Sequence, residues 1–209
     1  MPTESILLLG AGGHGKVVLD ALLAAGVPRA AVDVSDENAA AHGAEFLGAP
    51  VCALGESAAR RFHVSVGVAA ARERIHLRLE AAGLAPLTVR HPAACVSPLA
   101  SLAGGCFVAA HAVVGPAARL GPSVIVNHGA VVDHDCVVGA FCHIAPNATL
   151  AGNVTIGRRV LVGAGANLLP GVRVGDDAII GAGAVVRADV PAGGTWAGVP
   201  ATKIDRKAK

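Results

Sequence analysis

Aromatic residues are nearly absent from this sequence: four Phe, one Trp and no Tyr in 209 residues. The core must therefore be assembled from Ala, Val, Ile and Leu at short range, which suits a tightly wound, repetitive architecture more than a few large packed layers. Charge is also scarce, at 15% of residues with a formal net charge of +2 and no basic block. That leaves no electrostatic footprint for nucleic acid. The apolar run Ile6-Leu7-Leu8-Leu9 is too short to cross a bilayer and has neither a basic leader nor a cleavage site, so the expectation is a cytoplasmic chain without membrane insertion. Five cysteines form an odd count with no C-x-x-C pair, which fits neither a disulfide framework nor a zinc knuckle.

What the chain does have is a period. From Val96 every sixth residue is aliphatic: Val96, Leu102, Val108, Val114, Leu120, Val126, Val132, Val138, Ile144, Leu150, Ile156, Val162, Leu168, Val174, Ile180 and Val186, sixteen hits without a gap. Two residues before each hit stands a small side chain (Ala94, Ala100, Cys106, Ala112 and onward to Ala184), and Gly often follows it, as at Gly115, Gly121, Gly139, Gly157, Gly163, Gly175 and Gly181. Flat faces joined by tight corners have this signature, with the glycines expected to supply corner dihedrals. Three six-residue faces make an 18-residue coil, so the run predicts about five coils stacked at roughly 4.8 Å. Cys106, Cys136 and Cys142 fall on the small inward position and read as buried structural thiols.

On this period, and on the tail segments Asp189-Val190-Pro191 and Gly198-Val199-Pro200-Ala201, residues 92 to 204 resemble the hexapeptide-repeat acyltransferases. The resemblance implies a left-handed parallel β-helix that assembles as a homotrimer with active sites between subunits.

Residues 1–90 read as a separate α/β, Rossmann-like domain, leaving 91–209 as the all-β helix with its tail. The pattern runs strand (Ile6 to Leu9), glycine turn, helix (Lys16 to Ala25), strand (Ala31 to Val34), strand near Val64 to Val66, and helix (Ala70 to Ala82). Gly10-Ala11-Gly12-Gly13-His14-Gly15 satisfies G-x-G-x-x-G between strand and helix, where free backbone amides and the helix dipole favour a phosphate. The domain is too short for two mononucleotide halves, which argues against a nicotinamide enzyme. The longer string Gly10 to Asp20 is similar to the N-terminal domain of bacterial sugar O- and N-acyltransferases typified by the UDP-4-amino-sugar N-acetyltransferases. That resemblance implies acetyl-CoA as co-substrate, no metal, and a nucleotide-linked 4-amino-4,6-dideoxy sugar as acceptor. It places the nucleotide on Gly12, Gly13 and His14, on Asp36 (or Asp33), and on Gly67. The chain carries Ser35-Asp36-Glu37 where the group usually has an Asp-Asp pair, and Val68-Ala69 where polar residues are common.

Of the helix histidines His111, His128, His134 and His143, only His134 is bracketed by carboxylates, Asp133 and Asp135. An acidic neighbour fixes the imidazole tautomer and raises its basicity, as a general base requires, and either Asp can do so. Gly152 lies 18 residues on and should stack over the base without a blocking side chain, offering its N–H to an oxyanion, while Asn153 is expected to tether Asp135. His143 is nine residues from His134, half a coil away, so the two can share a site only across two subunits. The resemblance assigns His143, Ala164 and Ala182, with Gly152, to acetyl-CoA and Asn127 to the acceptor. His128 reads equally as site or surface residue, and His111 as structural. Three rival readings remain beside amine acetylation: O-acetylation of a sugar hydroxyl as in sialic acid O-acetyltransferases, a zinc lyase of the γ-type carbonic anhydrase kind, and a non-catalytic scaffold. The spacings among His128, His134 and His143 do not match the His-x4-His pair of the lyases.

Overall fold

The computed structural model describes residues 5–204. Its first unit is a parallel sheet with spatial order β2-β1-β3-β4, made from β1 (Ile6–Leu9), β2 (Val32–Ser35), β3 (Arg61–Val64) and β4 (Ala85–Pro86). All four side chains of β1 are buried, as a central strand covered on both faces demands. Helix α1 (Gly13–Ala24) follows β1 and α2 (Ala69–Ala81) follows β3. β2 and α2 lie within one residue of the sequence expectation and β4 is additional to it, while α1 and β3 both begin three residues earlier than expected. The first turn of α1 is made from the glycine turn itself, and just past β3 Ser65 stays tied to β1, by its N–H to Leu9 O at 2.8 Å and its Oγ to Leu9 O and Gly10 O at 3.0 and 2.8 Å.

The second unit is the left-handed β-helix. Each of the sixteen aliphatic hits closes a two-residue strand, from Cys95–Val96 to Val185–Val186. Neighbouring rungs pair in parallel 18 residues apart, as Phe107, Ile125, His143, Leu161 and Ile179 do down one face. The aliphatic and small inward positions, including Cys106, Cys136 and Cys142, form one continuous buried column. Burial pushes the thiols of Cys106 and Cys142 up to about 11 and about 12, which leaves them inert. The helix is longer than the aliphatic count implies, about six turns. Val89–Arg90 (β5) already pairs with Phe107–Val108, and Thr195–Ala197 adds a rung after Ile179–Ile180. An Arg at the hexad position hid the first of these.

The corner glycines do not play the part expected of them. Positive φ recurs every six residues at positions such as His111, Ala117, Asp135, Phe141 and Asn153, mostly not glycine. Gly139 and its equivalents instead let one coil pass close to the next: a Cβ at Gly139 would lie 2.4 Å from Gly157 O.

The α/β unit packs on the face that carries Phe107 and Ile125, which share one buried cluster with Ile6, Leu8, Val18 and Leu19. One coil further along that face comes His143, at the edge of the covered area.

Candidate active site

The glycine turn depends on two close approaches. Gly10 has φ +119°, and a Cβ at Gly15 would lie 2.1 Å from Gly10 O, so neither position accepts a side chain. Helix α1 has Gly12 at its N-cap with no side-chain cap, which leaves its first amides open to an anion. The turn is braced from β2: Asp36 accepts from Ala11 N–H through Oδ2 and from Asn38 N–H through Oδ1, both at 2.8 Å. Gly12, Gly13, His14, Asp36 and Gly67 all line one cavity of about 380 Å³, with Glu37, Ser65 and Val66 among the remaining wall. Asp33, the alternative acidic position, lies elsewhere and accepts a hydrogen bond from Ser57 Oγ. Glu37, which sequence reasoning did not assign, is held by Arg74 at 2.6 Å and Arg78 at 2.9 Å.

The wall of that cavity meets the β-helix at His143. The His14 and His143 ring centroids are 6.3 Å apart, and His14 stands edge-on to Phe107 at 5.3 Å. Asn127 Nδ2 donates to His143 Nε2 at 3.1 Å while its Oδ1 accepts from His128 N–H, so the nominated pair Asn127 and His143 form one unit. Burial pulls His14 down to about 3 and His143 down to about 4, and both rings are neutral near pH 7. Beyond His143 opens a second, mostly apolar cleft of about 560 Å³, lined by Gly67, Val68, Ala69, Leu161 and Ile179 and reached by Arg159 and Asp177. Gly67 borders both spaces.

His134 is elsewhere. It projects from the corner between Val131–Val132 and Val137–Val138, on the far side of the coil from the His143 face. Its Nδ1 is 2.8 Å from Asp135 Oδ2, and Asp133 Oδ1 accepts from its backbone N–H at 2.7 Å. Asp135 is thus the carboxylate that orients the ring. The hydrogen bond to Asp135, followed by the charge of Asp133, raises the His134 pKa. The Nδ1 contact leaves Nε2 over Gly152, where a Cβ would come within 2.4 Å of it. Among the described residues, no acceptor is found for the Gly152 N–H. The expected Asn153 tether is not made through its side chain; the link between those coils is backbone, Asn153 N–H to His134 O at 2.9 Å. Ala164 and Ala182 stack 18 residues apart as an exposed corner column beside the His143 face, joined through Gly183 N–H to Ala164 O at 2.8 Å.

The nominated residues therefore form two groups on opposite sides of one coil: the cavity with His14 and, next to it, the Asn127–His143 pair, and the His134 dyad with Gly152. Among the described residues no three His, Cys, Asp or Glu side chains gather as a metal-binding group. Nor is any helix long and apolar enough to cross a membrane.

Residues 5–79 match the family model described as PglD N-terminal domain, and residues 135–169 and 153–188 match Bacterial transferase hexapeptide (six repeats). The structure is similar to that of PerB from Caulobacter crescentus in complex with CoA and GDP-perosamine, with a TM-score of 0.90, 36% identity, and coverage of 97% of this chain and 98% of that one. The acetyltransferase domain of PglB from Neisseria gonorrhoeae FA1090, in complex with acetyl coenzyme A, gives a TM-score of 0.90 at 35% identity, covering 96% and 99%. Among curated proteins, a 2,3,4,5-tetrahydropyridine-2,6-dicarboxylate N-acetyltransferase of Staphylococcus aureus is 59% identical over 44 residues, 21% of this chain. That segment spans only 18% of the relative's length.

Proposed function

Because the chain belongs to the hexapeptide-repeat sugar acyltransferases, we propose that it moves the acetyl group of acetyl-CoA onto the amine of a nucleotide-linked amino sugar, at a site completed by two subunits of a homotrimer. The observation that carries this reading is the gathering of Gly12, Gly13, His14, Asp36 and Gly67 around one cavity whose His14 stands 6.3 Å from His143, a residue of the adjoining cleft that Gly67 also borders. Its open helix N-terminus suits a nucleoside diphosphate. The acceptor of the PerB complex, GDP-perosamine, is of this class.

In the proposed reaction His134 of the neighbouring subunit faces the amine held at this cavity. Its Nε2 is the free nitrogen of a ring whose Nδ1–H is engaged by Asp135, the tautomer a base needs. The amine nitrogen attacks the thioester carbonyl carbon while its proton passes to Nε2. The Gly152 N–H stabilises the oxyanion. Collapse breaks the carbon–sulfur bond, and the proton on His134 goes to the departing thiolate. No acyl-enzyme is required, since the thioester is already activated and positioning supplies much of the remaining rate. His143 and Asn127, with the Ala164 and Ala182 column, would line the path of the acetyl-CoA arm.

Free-thiol release from acetyl-CoA, measured against UDP- and GDP-linked amino sugars and their hydroxyl counterparts, tests the reading. Turnover is expected with an amino sugar and is expected to collapse in His134→Ala. Turnover only with hydroxyl acceptors would replace amine transfer by O-acetylation, and full activity in His134→Ala would remove His134 as the base.

A further inference from the structure

Helix α2 buries Arg72, Ile75, His76 and Leu79, the i, i+3, i+4, i+7 stripe of an amphipathic helix, with a cation at its first position. Arg72 is 1% exposed, and among the described residues its hydrogen-bond acceptors are all backbone carbonyls, none a carboxylate. Its five N–H groups meet five carbonyls: Nε donates to Ser123 O at 3.0 Å, Nη1 to Val66 O and Gly67 O at 2.8 Å each, and Nη2 to Phe141 O at 2.6 Å and Cys142 O at 3.2 Å. For the carbonyls of Ser123, Val66, Gly67 and Phe141, no other donor is found among the described residues. A buried cation is costly unless every proton has an acceptor, and here the acceptors come from the 66–67 loop of the α/β unit and from two neighbouring coils of the β-helix, which are themselves joined by Phe141 N–H to Pro122 O at 2.9 Å and Ile125 N–H to Cys142 O at 3.0 Å.

Two of those segments border the candidate site. Val66 and Gly67 are wall of the nucleotide cavity, and Phe141-Cys142 run directly into His143. We propose that Arg72 is a positioning residue for acetyl transfer: its guanidinium fixes the cavity wall to the strand that bears His143, and so sets where the acceptor amine stands relative to the β-helix. The assignment rests on the acetyl-transfer reading above. A lysine cannot substitute, because one ammonium with three donors cannot span five carbonyls. The Arg72 charge also adds, after burial, to the forces holding His143 neutral.

The test uses the full-length chain with Arg72→Lys and Arg72→Gln. Active sites are counted by UDP or GDP binding stoichiometry, so that loss of folded protein is separated from loss of function. Arg72 reaches the nucleotide only through Val66 and Gly67, one wall of its cavity, and leaves the glycine turn untouched, so nucleotide Kd is expected to rise by no more than about threefold while kcat per bound site falls about tenfold or more. A kcat per site equal to wild type overturns the proposal and leaves Arg72 a stabilising residue only. Should neither variant accumulate, amide hydrogen exchange on the wild-type protein decides. Saturating UDP or GDP is expected to slow exchange through residues 138–146 as well as in the glycine turn, and protection confined to the turn overturns the link. Absence of wild-type turnover with every amino sugar would refute the reaction assigned above, a result distinct from either of these.

Discussion

Replacing Gly152 by Ala asks whether the His134 ring must lie where it does. The added Cβ would be 2.4 Å from His134 Nε2 and 2.5 Å from Cε1, whereas unstrained carbon contacts start near 3.4 Å, so the ring must retreat by about 1 Å. Little opposes that retreat, since the His134 side chain is 56% exposed and Gly152 does not have a positive φ. Stability should therefore change by less than about 1 kcal/mol, within the range of ordinary surface substitutions and small adjustments. Catalysis should respond far more, because a displacement of about 1 Å between base and amine costs on the order of 100-fold in rate. Thiol release under saturating acetyl-CoA, run beside a thermal melt, separates the two effects. A kcat/KM within about threefold of wild type, with an unchanged melt, would show that the His134 ring does not work at the position the coil assigns it.

Two further outcomes follow from the titrating groups. Asp135 holds the His134 pKa above its ordinary value, so the base is protonated and idle below a correspondingly higher pH; Asp135→Asn should move the acid limb of kcat/KM to lower pH and reduce the plateau, whereas Asp133→Asn, which removes only the secondary charge effect, should move it less. His14 and His63 are buried as neutral rings, with pKa values lowered to about 3 and about 4, so the unfolded chain binds more protons than the folded one between those values and about 6.5. Their contribution to stability is complete above about pH 6.5 and is lost as pH falls, at about 1.4 kcal/mol per pH unit for each histidine. His143, lowered to about 4 by burial, adds an equal share, so urea midpoints from pH 7 to pH 5 should show that decline and His63→Gln should remove about a third of it; a flat profile would contradict the burial of these rings.

Much of this was legible in the sequence because the β-helix repeats its physics every six residues. An inward aliphatic and a small partner, sixteen times over, leave one way to bury apolar surface without aromatics, and the register then places Gly152 over His134 by counting alone. The glycine turn is equally plain, since Gly10 answers to its own positive φ and Gly15 to the carbonyl of Gly10 within one βα unit. The reach of Arg72 was not legible: its five acceptors are carbonyls, which carry no side-chain identity, and they lie up to 70 positions away. Nor was the first rung, where Arg90 occupies a slot the period reserves for an aliphatic. The distinct duties of Asp33 and Asp36 depend on where β2 ends against β1: Leu9 pairs with Ser35, which leaves Asp36, just past the strand, level with the glycine turn, whereas Asp33 within the strand meets Ser57.

The central claim is that His134 of one subunit serves the acceptor cavity of the next, and subunit complementation tests it most directly. His134→Ala removes the base. Gly13→Asp sets a carboxylate where the diphosphate should sit, at a position with no atom within 4 Å of an added Cβ, so the fold should survive. Each variant alone should be inactive. Mixed at equal amounts and reassociated as trimers, they should regain about a quarter of wild-type thiol release, since about one interface in four then pairs an intact base with an intact cavity. Mixed trimers as inactive as their parents would mean that base and cavity act within one chain, and would contradict the account.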